Sequence, residues 1–315
     1  MMIKKMKAII LPLFLFGLFA SCREEATNHT EEQPVGIQIA TRAAGSAEDN
    51  AISSLQVLIY NSATGELAFN VEPVLQSPAN TQRIDMKTGQ YDFVFVANHT
   101  GCTTNIATLP LGDAYSNLEE VYFNATAFGN DKDIPMVHVV KGVCVYQGGK
   151  LLLPGKTEMQ TGVWTIAMER IAAKLSVTFT LTEGQSETFK EMYVTNLPDK
   201  VYLLPQSNKD EKYTASSRVI TDVVTEEEGV YKVTSERLIL PESYFNNITD
   251  IAKGVVLGMK FSNNLYRTSV IGVAPESNYT LPRNTFLQLS GTVSDEIRFI
   301  ITVTPWGDPV KIEIQ

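Results

Sequence analysis

Three features of the sequence predict an all-β fold of antiparallel sandwiches with a minor share of helix. Apolar and polar residues alternate with a period of two through most of the chain. The alternating runs are short and are separated by turns rich in Gly, Pro and Asn. Apolar residues make up 44% of the 315 residues and charged residues 19%, which is enough for buried cores in two domains of ordinary size.

The first 21 residues have the layout of a secretory signal peptide. Lys4, Lys5 and Lys7 form a positive segment, and the apolar run Ala8–Ala20 follows it. That run is shorter than the ~20 residues needed to span a bilayer. We therefore expect residues 1–21 to direct export and then to be removed.

Cys22 closes this segment in a context similar to the cleavage motif of bacterial lipoproteins. Ala20 and Ser21 are the small residues that such a motif requires, whereas Phe19 stands where leucine is usual. Cleavage before Cys22 would make it the lipidated N-terminus, and the charged residues 23–25 resemble an address for the outer face of the outer membrane. The alternative is an ordinary signal peptide that is cleaved elsewhere.

Residues 22–42 read as a tether followed by a short strand. The polar stretch 24–34 lacks periodicity. Val35, Ile37 and Ile39 then alternate with Gly36, Gln38 and Ala40, and Arg42 follows closely.

The remaining elements are mostly strands. Alternation or dense β-branched composition predicts them at 54–60, 66–71, 91–97, 164–167, 173–181, 201–204, 230–233, part of 251–261, 266–273, 286–293, 297–303 and 310–314. In the strand 173–181, Leu175, Val177, Phe179 and Leu181 are expected to face inward. A helix is predicted over 113–123. A stretch rich in Gly, Pro and Lys at 149–162 suggests a boundary between domains at 43–160 and 161–315.

The sequence offers little for catalysis or for binding of metal ions, cofactors or nucleic acid. A net charge of −9 argues against nucleic acid. His29, His99 and His138 are far apart and lack metal-ligand spacing. The Gly-Lys-Thr at 155–157 lacks the first glycine of a phosphate-binding loop. We therefore predict no enzyme, cofactor, metal or catalytic residue, although a carboxylate pair that meets only in the fold stays open.

Beyond Cys22, the chain contains only Cys102 and Cys144. In an exported protein these two thiols could form one disulfide or stay separate and buried. The sequence leaves both alternatives open.

Several segments together resemble the fimbrillins, the subunits of type V pili of Gram-negative gut and oral anaerobes, and specifically the major-fimbrium type. Each segment is a weak signal alone, but their order and spacing cover most of the chain after residue 40. The segments are Thr41–Leu67, Met86–Asn98, Asp133–Met136, Trp164–Val177, Leu238–Ser243 and Ile301–Trp306.

The resemblance implies a lipoprotein precursor with two tandem transthyretin-like β-sandwich domains. It also implies that a trypsin-like surface protease cuts after Arg42, leaves Ala43 as the new N-terminus and removes the first strand. An extended C-terminal strand of another subunit then fills the opened groove. The implied partners are other copies and accessory fimbrial subunits, the protease, and the outer membrane through the lipid; the implied role is adhesion at the cell surface.

The residue pattern is compatible with such strand exchange. The removable strand (Val35, Ile37, Ile39) and the final strand (Val310, Ile312, Ile314) alternate identically. Burial of three Val/Ile side chains would contribute roughly 5–9 kcal/mol before ordering costs. The alternative is that both segments are edge strands of their own domains.

The role within a filament stays open at this stage. No cysteine lies between Cys22 and Cys102, which favours a polymerising stalk subunit, whereas the short chain leaves an anchor or tip role open. A second hypothesis is a lipid-anchored surface protein that binds a glycan or host protein without polymerising, with Tyr202, Tyr244 and Trp306 as aromatic contacts.

Overall fold

The computed structural model is described for the parts of the chain that carry its strands. These are residues 35–39, 51–73, 75, 82–129, 133–160, 164–205, 216–220, 223–227, 229–243, 249–262, 264–274, 277–294, 296–307 and 310–314.

The described residues are dominated by strands, so the predicted all-β class is confirmed. The first half contains β1 (Val35–Ile39), β2 (Leu55–Asn61), β3 (Leu67–Val71), β4 (Gln82–Met86), β5 (Gly89–Ala97), the short helix α1 (Tyr115–Leu118), β6 (Tyr122–Asn124), β7 (Met136–Tyr146) and β8 (Lys150–Leu152). The second half contains β9 (Trp164–Arg170), β10 (Ala172–Leu181), α2 (Glu183–Thr188), β11 (Phe189–Leu197), β12 (Lys200–Tyr202), β13 (Ser216–Ile220), β14 (Val223–Glu227), β15 (Val230–Pro241), β16 (Val255–Phe261), β17 (Tyr266–Ile271), β18 (Thr285–Val293), β19 (Ile297–Pro305) and β20 (Val310–Ile314).

A nine-stranded sheet in the order β3-β2-β5-β7-β9-β20-β1-β4, with β8 paired to β7, encloses the first core. Although β7 separates β5 from β9, the ring of Trp164 on β9 packs edge-to-face on Phe93 and Phe95 of β5, at centroid distances of 5.7 and 6.0 Å. Ile84 and Met86 of β4 join the same core. The sheet therefore folds over on itself, so that β9 and β4 face β2 and β5.

The strand β2 is buried on both faces, which explains its continuous apolar run. Val57 and Ile59 belong to the first core, whereas Leu58 and Tyr60 belong to another core on the opposite face. The long connection between β5 and β7 covers that opposite face with apolar side chains such as Ile106. Alternation disappears where both faces of a strand are covered.

Two sheets of the second half enclose a further core. One has the order β14-β15-β10-β18-β19 and the other β13-β11-β16-β17. The inward positions predicted for β10 are confirmed, because Leu175, Val177, Phe179 and Leu181 are all buried. One pairing departs from the antiparallel prediction: β10 and β18 run parallel, since the chain passes through the opposite sheet between them.

Side chains and a small sheet connect the two halves. β6 pairs with β12 through Phe123 and Val201. Arg283 forms an ion pair with Glu242, with an Nη2–Oε2 distance of 2.6 Å, and donates from its guanidinium to the main-chain carbonyls of residues 202 and 203. Residues 32–315 cluster as one compact unit, and the division near residue 160 stays a prediction.

The predicted helix over 113–123 is wrong in extent, because only Tyr115–Leu118 is helical. At its start, the carbonyl of Asp113 accepts a hydrogen bond from the Leu67 amide, which fixes the chain to β3. At its end, Phe123 lies in the small sheet opposite Val201. Long-range backbone pairing therefore overrides the local helical pattern.

The sequence analysis did not identify β4, β6, β7, β8, β11, β13 or β14. In β7 the alternation is interrupted at Gly142, which has φ of 76° and lies where the pairing with β5 shifts register. The main-chain amide of Gly142 donates to Asp92 Oδ1 at 2.8 Å, which holds this bulge in place.

Asn98 anchors the chain just before β2. It has φ of 57°, and its side-chain oxygen accepts hydrogen bonds from the amide and the hydroxyl of Ser53 at 2.9 and 3.1 Å. Its side-chain nitrogen donates to the carbonyls of Ala51 and Ile134, both at 2.8 Å. The buried Asn98 thus joins three separate segments.

We expect Asn98→Ala to lower the free energy of unfolding by about 3 kcal/mol, because it strands buried polar groups and places alanine at positive φ. The matched control is Asn264→Ala, at φ of 57° on the exposed surface, which carries only the conformational cost of about 1 kcal/mol. Chemical denaturation of both variants measures the difference. Equal losses would show that the Asn98 side chain contributes nothing beyond its backbone conformation.

Candidate functional site: the two terminal strands

The segment that contains Val35, Ile37 and Ile39 forms β1, and it pairs antiparallel with β4 along its whole length. Val35 lies opposite Met86, Ile37 opposite Ile84 and Ile39 opposite Gln82. Met86 and Ile84 are buried in the first core. The register thus places β1 next to β4, the strand that carries these two buried side chains.

The segment that contains Val310, Ile312 and Ile314 forms β20, and it pairs antiparallel with β9. The three residues lie opposite Met168, Ile166 and Trp164, respectively. These three partners are also buried in the first core. The last strand of the second half is therefore part of the sheet of the first half.

The two terminal strands are neighbours in this sheet. They meet at one residue pair, Ile39 with Ile314. β20 lies between β9 and β1, and β1 lies between β20 and β4, so neither is an edge strand. Among the described strands, β4 has β1 as its sole neighbour in the sheet.

The site depends on β4, which the sequence analysis missed. The signal available was the alternation of Ile84 and Met86 with Arg83 and Asp85, a run of only five residues. Ile84 is 5% and Met86 0% exposed, while Asp85 faces solvent. Such a strand is half-buried and needs a partner on its open side.

The processing positions Cys22, Arg42 and Ala43 lie outside the described residues, as does Tyr244. Two of the candidate aromatic contacts are core residues rather than an exposed platform: Trp306 is 3% and Tyr202 6% exposed. Among the described residues, no helix is long and apolar enough to cross a membrane.

Cys102 is a free thiol, so it does not pair with Cys144. It is half-buried, and burial raises its pKa to about 12. The thiol is therefore protonated at neutral pH and is a poor nucleophile. A Cys102–Cys144 disulfide, one of the two alternatives that the sequence left open, is therefore excluded.

The histidines His99 and His138 are partly buried. Burial lowers the pKa of both imidazoles, and the neighbouring carboxylates Glu72 and Glu169 oppose the effect only in part. Within the described ranges, no group of three or more His, Cys, Asp or Glu side chains is arranged to hold a metal ion.

Comparison with known proteins gives one family match and several solved structures of similar fold. Residues 37–179 match the family described as Major fimbrial subunit protein (FimA). No curated protein matches the chain. The fold matches the tip fimbrial protein Mfa3 of Porphyromonas gingivalis, solved with a C-terminal truncation, at 18% identity and a TM-score of 0.59, over 86% of this chain and 99% of that one.

Two further solved structures share the fold. One is a Bacteroides eggerthii protein named for cell adhesion, with 12% identity and a TM-score of 0.52 over 89% of this chain and 98% of that one. The other is a Parabacteroides distasonis protein named likewise, with 12% identity and a TM-score of 0.51 over 88% of this chain and 100% of that one.

The described residues form an all-β fold, and the solved structures that share it are named as fimbrial or cell-adhesion proteins. The family match over residues 37–179 and the fimbrial solved structures confirm the resemblance to the fimbrillins.

We expect the free energy of unfolding to fall as the pH drops below about 6.5, in part because His99 and His138 have lowered pKa values in the folded protein. The unfolded chain takes up these protons first, near its ordinary pKa of about 6.5, and thereby gains stability relative to the fold. Denaturation at pH 7.5 and 5.5 should show a smaller loss for the double variant His99→Gln/His138→Gln. An unchanged loss would assign the pH dependence to carboxylates.

Proposed function

We propose that the protein is a structural subunit of a cell-surface fimbrium that polymerises by donor-strand exchange. It is exported as a lipoprotein precursor, lipidated on Cys22 and cut after Arg42, and it contributes to adhesion. The observation that carries this proposal is that the edge of β4 is paired by β1, a strand that lies before the proposed cleavage site.

Cleavage after Arg42 would separate β1 from the folded protein together with the lipid. β4 would then lose all five of its paired residues, and its buried Ile84 and Met86 would lie beside an empty position. An open strand edge with apolar side chains recruits another extended strand. The processed subunit is therefore a strand acceptor.

The alternation of Val310, Ile312 and Ile314 makes β20 the best candidate for the donor. Within one chain β20 is paired with β9, so donation requires its release. Loss of β1 and release of β20 together open a gap between β9 and β4. That gap is two strands wide, so a β20 strand from a second copy either restores the five pairs to β9 in the β20 position or takes the β1 position beside β4.

The remaining parts of the proposal follow from this assembly. The partners are other copies, accessory fimbrial subunits, a trypsin-like surface protease that recognises Arg42, and the outer membrane through the lipid on Cys22. The chain acts as a structural protein rather than an enzyme. Residues 43–160 and 161–315 act as two domains that share the sheet completed by β20.

A second candidate function is a lipid-anchored surface protein that binds its ligand without polymerising. It is favoured by one observation: β1 and β20 are both paired within the same chain, so the uncut protein is closed. If Arg42 is never cut, this closed form is final and Cys22 is a permanent anchor.

We expect Arg42→Ala to abolish polymerisation, because β1 stays covalently attached and the edge of β4 stays paired. After treatment with a trypsin-like protease, wild-type protein should give a ladder on electrophoresis without boiling, and the variant a single band. Arg42→Lys is the matched control, since it keeps a site for such a protease. A ladder from Arg42→Ala equal to that of wild type would refute activation by cleavage at this site.

We expect a variant that lacks residues 310–315 to act as a chain terminator, because it can accept a strand but cannot donate one. Adding it in equal amount to wild-type protein before cleavage should shorten the ladder several-fold. The control is the same truncation combined with Arg42→Ala, which cannot donate and keeps β1 paired with β4, so it should shorten the ladder less. Filaments of the truncated protein alone would point to another donor strand.

A further inference from the structure

Arg170, the last residue of β9, is a buried cation with defined partners. Its side chain is 1% exposed. Nη1 donates to the side-chain oxygen of Asn284 and to the main-chain carbonyl of Trp306, both at 2.9 Å. The guanidinium carbon also lies 5.2 Å from the centre of the Trp306 ring, within the range of a cation–π interaction.

The partners of Arg170 are themselves linked. The Trp306 amide donates to the Asn284 carbonyl at 3.0 Å, and the Asn284 amide donates to the carbonyl of Ala172, at the start of β10, at 2.9 Å. Asn284 adopts φ of 55°, a conformation that asparagine tolerates better than most residues. The chain between β9 and β10 is thus joined to the ends of β18 and β19.

Arg170, Asn284 and Trp306 lie next to the chain that leads into β20, a position that we call the root of this strand. Trp306 directly follows β19, and Gly307, with φ of 61°, turns the chain away. β20 then returns along β9, beginning at Val310 opposite Met168, two residues from Arg170. Arg170 therefore holds the chain immediately before it enters the ladder that β9 and β20 share.

We propose that Arg170, Asn284 and Trp306 form a clamp that fixes where the exchanging segment begins, so that Gly307–Ile314 changes partner while β19 stays in place. This inference rests on the proposed function, and the partner is a second copy of this chain. Arg170 acts as a positioning residue, because it holds the root of β20 and not the strand itself.

The clamp holds while β20 exchanges because Trp306 and β20 are attached to the fold in different ways. β20 is held to β9 by backbone pairing that an identical strand can replace. Withdrawal of Trp306 would instead remove a main-chain acceptor and an aromatic contact from a buried guanidinium, which is costly. Release that starts at Ile314 therefore proceeds along β9 and stops at Trp306.

The clamp thereby sets the length of the donated strand. Gly307–Ile314 in extended form spans about 27 Å. Because its start is fixed, residues 310–314 reach the second copy in one register, and a slip by one residue would place them on the opposite face of the sheet.

Hydrogen–deuterium exchange of the uncut full-length protein tests the clamp. We expect Arg170→Met to raise the exchange rate of amides 310–314 at least tenfold relative to wild type. The matched control is Arg283→Met, which removes another shielded arginine whose partners are the Glu242 carboxylate and the carbonyls of residues 202 and 203. It should raise exchange at 310–314 less than threefold.

Two further variants keep the test decisive if Arg170→Met folds poorly. Trp306→Phe keeps the main-chain acceptor and should have a smaller effect than Arg170→Lys, which keeps the charge but loses the planar donor. Equal acceleration of 310–314 by the Arg170 and Arg283 variants, or none by either Arg170 variant, would overturn the clamp.

The two proposals fail separately. Exchange is measured on the monomeric precursor, so the clamp can be refuted whether or not filaments form. Conversely, if Arg42→Ala polymerises like wild type while Arg170→Met selectively loosens β20, strand exchange after cleavage at Arg42 is wrong and the clamp at the root of β20 stands.

Discussion

Backbone pairing between β1 and β4 is the constraint on which the first sheet depends. In the described part of the chain β4 joins the sheet through β1, yet β4 carries Ile84 and Met86 into the first core. The position of β4 in this sheet therefore depends on β1, the first strand of the described residues.

Several strands of the first half pair with one another without β1 or β20, because β3, β2, β5 and β7 are consecutive neighbours in the sheet. β2 and β5 are covered on both faces, by β9 and β4 on one side and by the connection between β5 and β7 on the other. This three-layered arrangement keeps the aromatic cluster of Phe93, Phe95 and Trp164 in a core bounded by several strands. The second half encloses its own core between two sheets.

The sequence predicted the structure correctly where a strand buries one face and the signal lies within that strand. The alternation in β10 predicted its inward residues, and the alternation at 35–39 and 310–314 predicted two strands that the structure confirms as β1 and β20. It failed where contacts distant along the chain decide the structure. The helix around Leu118 is short because flanking residues pair with β3 and β12, and the break in β7 reflects a bulge that Asp92 holds.

The assembly of the site could not be predicted for the same reason. Periodicity assigns a residue to a face of a strand, but it does not say which strands are adjacent. The parallel pairing of β10 with β18 and the bond from Arg170 to Trp306, 136 residues apart, arise only from the three-dimensional path of the chain. The segments around Trp164 and Trp306 that carried the family resemblance meet at that bond, although nothing in their spacing indicates it.

The hydrogen bonds of Asn98 have a consequence for a chain that is cut upstream. They pin Ala51 and Ser53 to the segments around Ile134 and the end of β5. Fraying that begins at a new terminus near residue 43 would therefore be arrested before it reaches β2. If the chain is cut after Arg42, the loss of β1 would therefore not propagate into β2, and the fold that remains would begin at the contacts of Asn98.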